Sequence, residues 1–120
     1  MGILGWYGAD GKECGFYIVS DGRIAFKFND SVSVSGGLIP LDTDTWVEVG
    51  FDGTTMRAFV NGQSVATTTP GANILTQPNE GPRIGRIGIG GSWYSMTGRI
   101  SNLEFYKDRC LHTENFTPPA

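Results

Sequence analysis

Several groups of residues in this 120-residue chain carry side chains that could do chemistry, and each chemistry demands its own spacing. Cleavage of a glycosidic bond needs two carboxyl groups held across one sugar ring. Glu48, Asp52 and Glu104 instead stand singly in stretches that read as strands, so they read as outward, solvated charges. His112 is the one histidine, it falls near the C-terminus, and no G-x-S-x-G segment accompanies it, which leaves a serine triad unsupported. Cys14 and Cys110 are the two cysteines and have no CxxC spacing. A zinc site wants about four ligands, so they read as reduced thiols, with a disulfide open if the chain ends meet. Asp10, Asp30, Asp42 and Asp44 fall in predicted loops, and Asp42-Thr43-Asp44 is the one close pair. Two acids in a turn usually shape the turn, so no metal or other cofactor is expected. Asp42 and Asp44 would be the candidates if calcium bound.

The stretch Gly90–Thr97, GGSWYSMT, offers a different chemistry. Trp93 and Tyr94 sit among glycines and serines in what reads as a loop, and aromatic faces stack on sugars. Ser92, Trp93, Tyr94 and Ser95 are therefore the candidate ligand-binding residues. The plainer alternative is that Trp93 folds back to cap the core. The preceding RIGRIGIGG does not fit a G-x-G-x-x-G nucleotide loop, since its spacing is wrong and no helical pattern follows.

The elements that must position these residues read as strands. Val47, Val49 and Phe51 alternate with Trp46, Glu48 and Gly50, and Met56, Ala58 and Val60 alternate with Arg57, Phe59 and Asn61. Asp52-Gly53-Thr54-Thr55 and Asn61-Gly62 supply the reversals, so Thr45–Thr68 is a three-stranded meander. Ahead of it, Ile3–Gly8 reads as a first strand. Phe16 and Ile18, then Ile24, Phe26 and Phe28, form a hairpin about a two-residue Asp21-Gly22 turn, with Arg23 and Lys27 turned to water. Residues 29–44 give a short strand and a loop, and Thr69–Pro82 is a long crossing loop. Arg83–Gly91 is a strand with Ile87 and Ile89 on one face. In the last strand, Gly98–Tyr106, the residues Ile100, Leu103 and Phe105 share a face if a bulge forms at Ser101-Asn102. Thr113–Phe116 suits one helical turn before Pro118 and Pro119. Val47, Val49, Phe51, Ile87, Ile89, Ile100, Leu103 and Phe105 make the expected core, in which truncating Phe51 or Phe105 should cost roughly 3–5 kcal/mol.

Composition agrees with an all-β chain: eighteen Gly and six Pro accompany short alternating apolar runs. The length suits a single domain over residues 1–120. Nine basic and twelve acidic residues, without a Lys/Arg cluster, argue against nucleic acid as a partner. No apolar run reaches the roughly 20 residues of a membrane span, so no membrane insertion is expected, and the first residues lack a signal peptide. Met1-Gly2 does not open a myristoylation motif, because residue 6 is Trp.

The order TWVEVGFDGTTMRAFVNGQSVA, then RIGIGG, then GRISNLEFYKDRCLHTENFTPP resembles the laminin G-like, concanavalin A-like family over roughly Ile3–Pro119. The ending, Arg109 with Thr113–Pro119, is similar to such modules on bacteriophage tail and other virion proteins. The resemblance implies a two-sheet antiparallel jelly-roll β-sandwich. It implies a non-catalytic module that binds a glycan or host-surface receptor on a phage tail or virion appendage, the alternative being a purely structural or oligomerisation part with no ligand of its own. Relatives that are glucanases carry clustered carboxylates, and no E-x-D-x-x-E or similar cluster occurs here. The chain starts after strands that family members have. An unpaired edge is therefore expected near ILGWYG, covered by a second copy through strand pairing or through packing of Leu4 and Trp6, in a homo-oligomer that is a dimer or trimer.

Overall fold

A computed structural model describes residues 1–7, 13–28, 31–40, 42–69, 83–89, 92–106 and 109–119. The chain is all-β with antiparallel sheets, and no helix among the described residues is long and apolar enough to cross a membrane. Strands β1 (Gly2–Tyr7), β2 (Glu13–Ile18), β3 (Arg23–Phe28), β4 (Ser31–Leu38) and β8 (Arg83–Ile84) form one sheet in the order β4-β3-β2-β1-β8. The meander β5 (Val47–Phe51), β6 (Met56–Val60) and β7 (Gln63–Thr68) forms a second, and β9 (Arg86–Ile89) pairs with β10 (Ser92–Ser95) in a separate hairpin.

Alternation explains how the two larger sheets meet. Leu4 and Trp6 of β1, Cys14 of β2, Ile24 of β3 and Val34 of β4 lie on one face of the five-stranded sheet, and Met56 and Ala58 of β6 close over them. Removing these side chains from water is the main favourable term holding the sandwich together. Val47, Val49 and Phe51 point into this core as expected, yet they are half-buried, because β5 is an edge strand of a narrow sheet. Cys14 is wholly buried between the sheets and Cys110 half-buried elsewhere, both as free thiols.

The meander turns behave as their residues require. Asn61 and Gly62 both have positive φ, 51° and 80°, which a two-residue hairpin loop needs. A side chain at Gly62 would also run into the Phe116 carbonyl. At the other turn, Asp52 Oδ1 accepts from the amides of Thr54 (2.9 Å) and Thr55 (2.7 Å), while Oδ2 accepts from Arg57 Nη1 (2.7 Å). The Arg57 bond first, and then the two amides, hold the Asp52 carboxyl well below the usual carboxylate range. Its stabilisation is thus present above the ordinary value of 3.8 and is lost as pH falls below it. Asp52→Asn should lower the urea midpoint at pH 7, and the gap from the parent should narrow as pH is taken below 3.8. A gap that stays constant with pH would mean the carboxylate charge contributes nothing.

Six expectations need correction. The Asp21-Gly22 turn is a three-residue loop, Ser20-Asp21-Gly22, closed by Val19 N–H on the Arg23 carbonyl. Lys27 does not see water: it is 7% exposed and paired with Glu13. The segment Gly98–Tyr106 is not a strand, and Leu103 (45% exposed) and Phe105 (68%) are outside the core. A strand needs a partner ladder, and no described strand pairs with this segment, while Ile3–Gly5 of β1 are paired with Arg83, Ile84 and Gly85. No bulge forms at Ser101-Asn102, where Asn102 adopts φ 54° instead. For the same reason Ile3–Gly5 are not the unpaired edge expected at ILGWYG: β1 lies between β2 and β8, and Leu4 and Trp6 are buried within their own chain. Finally, Thr113–Phe116 is not a helical turn, since the Phe116 amide that would close it donates to the Gly62 carbonyl (2.9 Å). The expected burial of Ile89 falls outside the described side chains.

Candidate functional site

The β9–β10 hairpin lies on the face of the five-stranded sheet opposite the sandwich core. Gly2 and Gly5 of β1 allow it to sit there, because a Cβ at either would collide with the backbone of Arg86 and Ile87. Ile87 then drops onto Tyr17 and Ala25 and is wholly buried. Alternation turns Arg86 to the other side of β9. Across the hairpin, Trp93 stands opposite Gly88 and Ser95 opposite Arg86, while Tyr94 stands opposite Ile87. Arg86, Trp93 and Ser95 therefore share the outward face.

Trp93 and Tyr94 are thus strand residues and not loop residues. Aromatic residues suit a pleated, half-buried surface, and β9 supplies the ladder they pair with. As neighbours on one strand they project from opposite faces, so they do not form one stacking platform. Trp93 is half-buried and Tyr94 is 49% exposed. The indole does not stand bare. The Arg83 guanidinium carbon lies 4.6 Å and that of Arg86 4.8 Å from its ring centre, within cation–π range. Ser95 is exposed on the same face, and Ser92 pairs with Ile89, its side chain lying outside the described residues.

Sequence reading missed Arg83 and Arg86, although a signal was present. Arg83, Arg86 and Arg99 fall within residues 83–103, where no Asp or Glu occurs, so this stretch carries +3 in a chain of net charge −3.

A second cluster covers the outer face of the meander. His112 Nδ1 lies 2.7 Å from Glu48 Oε2, and the imidazole stacks on Phe116 with ring centres 3.6 Å apart. Phe59 meets Phe116 edge-on at 5.2 Å, and the Cys110 thiol donates to the His112 carbonyl (3.4 Å). Asn115 Oδ1 accepts from the Ser64 amide (2.8 Å), tying the same segment to β7. Glu48 is thus a paired, largely buried carboxylate, its side chain 13% exposed, and not the solvated charge expected. Asp42 and Asp44 are both exposed, and among the described residues no three His, Cys, Asp or Glu side chains come together; Asp10 and Asp30 lie outside the described residues.

The family model described as the concanavalin A-like lectin/glucanases superfamily matches residues 3–115. No match is found among curated proteins or among solved structures.

Proposed function

This chain belongs to the concanavalin A-like lectin/glucanases superfamily, and from that premise we propose that it is a non-catalytic glycan-binding module whose recognition surface is the outward face of the β9–β10 hairpin. The observation that carries this reading is Trp93: an indole left half-exposed on the outward face of β10, beside Arg83 and Arg86. Rigid aromatic rings offer a sugar a large contact surface at small entropic cost. The carboxylates support the non-catalytic part. Glu48 is held by His112, Asp52 by Arg57 and two turn amides, and Glu104 accepts from the Tyr106 hydroxyl (3.2 Å). Each has a structural partner in the fold. The setting we propose is a virion appendage displaying this face to a host-surface glycan, supported by the similarity of Arg109 and Thr113–Pro119 to modules on phage tail proteins.

A glycan array tests the reading. Binding is expected, with quenching of tryptophan fluorescence on titration. Trp93→Ala should abolish it with thermal unfolding still cooperative, while Tyr94→Ala, on the other face, should leave most of it. Binding that survives Trp93→Ala would put recognition elsewhere.

A further inference from the structure

We propose that the free edge of β5 is a pairing site for a second copy of this chain, and that the strand added there is residues 103–106 of the other copy, exchanged reciprocally in a two-fold dimer.

Hydrogen bonding in an antiparallel pair alternates, so a strand turns the N–H and C=O of every second residue away from its neighbour. Asn61 N–H donates to the Trp46 carbonyl (2.8 Å) and Asp52 N–H to the Thr55 carbonyl (3.2 Å), which assigns the even-numbered residues of β5 to β6. Val47, Val49 and Phe51 therefore direct their N–H and C=O groups to the opposite edge, and among the described residues nothing pairs with them there. An apolar margin lies beside that edge. β7 closes on β4, where a Cβ at Gly36 would meet Val65 and Ala66, so the three-stranded sheet begins over the β4 margin of the five-stranded one and ends at β5, short of β8. Ile84 shows the result: it stands opposite Leu4 and so shares the core face, yet it is 61% exposed.

The same chain offers a segment that fits this edge. Leu103 (45% exposed) and Phe105 (68%) stand two apart where no described strand pairs with the backbone, and the Tyr106 hydroxyl donates to Glu104 Oε2 (3.2 Å), a contact between next-but-one neighbours on one face of an extended segment. Seated on β5 of another copy, Leu103 and Phe105 continue the apolar row of Val47, Val49 and Phe51 and cover Ile84, while Glu104 and Tyr106 face water. The free backbone groups of edge and segment satisfy each other. Charge selects this occupant over a second β5. Residues 42–52 hold Asp42, Asp44, Glu48 and Asp52 and no Lys or Arg, so β5 against β5 would set acids against acids, whereas the exchanged segment follows the purely basic stretch that ends with Arg99. Each copy holds both an edge and a segment, so exchange about a two-fold axis closes at two molecules. The added strand is short, which makes the dimer weak, roughly micromolar or weaker, and unfolding measured in dilute solution reports the monomer.

Sedimentation velocity of the whole chain over a dilution series reaching millimolar concentration should show a single monomer–dimer equilibrium. Phe105→Glu and Ile84→Glu change exposed side chains on the two halves of the contact, and each should weaken dimerisation by about tenfold or more with thermal unfolding still cooperative. Hydrogen exchange read residue by residue should find the Val47, Val49 and Phe51 amides protected in concentrated samples and fast in dilute ones. A chain that stays monomeric throughout overturns the proposal. So does a dimer that either substitution leaves unchanged, an assembly that grows past two copies, or edge amides whose protection is independent of concentration. The wild-type dilution series and its hydrogen exchange decide three of these four outcomes without any variant.

Discussion

Phe59→Ala is expected to lower the stability of the chain by about 3–5 kcal/mol, read as a drop in the urea midpoint. The alternation of β6 assigns Phe59 to the face opposite Met56 and Ala58, away from the sandwich core. Even so it is wholly buried, because the C-terminal segment folds back over that face. Phe116 meets it edge-on at 5.2 Å and His112 at 6.4 Å, and the Glu48–His112 contact and the Asn115 bond to Ser64 fasten the segment from either side. Truncation would leave a cavity between sheet and segment and remove the ring on which both aromatic groups rest. Phe105→Ala, by contrast, should change stability by no more than about 0.5 kcal/mol, since that side chain is 68% exposed. The reverse order, with Phe105 costly and Phe59 tolerant, would mean that 109–119 does not cover the meander.

That contrast shows where a two-residue period stops being informative. Alternation names the two faces of a strand, and the Asn61-Gly62 turn fixes the register that sorts them, so the meander and its inward face were legible. It says nothing about what lies on the second face. The cover over Phe59 comes from residues some fifty positions later, and Thr113–Phe116 considered alone suits a helical turn. The same limit reversed Leu103 and Phe105, whose spacing suits a strand but which pair with no strand among the described residues. At the candidate site, residue type was legible and geometry was not. Trp93 stands out by composition, yet its placement in a strand opposite Gly88, and hence its separation from Tyr94 and its contact with two arginines, follows from pairing with β9.

The most severe single substitution after Phe59→Ala is expected on the second covered face of the five-stranded sheet. Lys27 stands opposite Gly15, and Glu13 lies two positions further along β2 on the same face, a diagonal pair. Because Gly15 has no side chain, the lysine can cross it to reach Glu13, and Nζ lies 2.7 Å from Oε1 with the two side chains only 9% and 10% exposed. Attraction in such a place is offset by the desolvation of both ions, so the pair as a whole contributes little net stability. Breaking it is another matter. Lys27→Met should cost about 3–5 kcal/mol, because the Glu13 carboxylate stays buried without its ammonium. Adding Glu13→Leu to Lys27→Met should recover most of that loss, as two apolar side chains of similar length fill the space with no charge to compensate. A double-mutant cycle by urea unfolding gives the coupling directly. If the double variant is instead as unstable as the sum of the two single ones, the pair is not the desolvated unit its burial implies, and water reaches the Glu13 carboxylate.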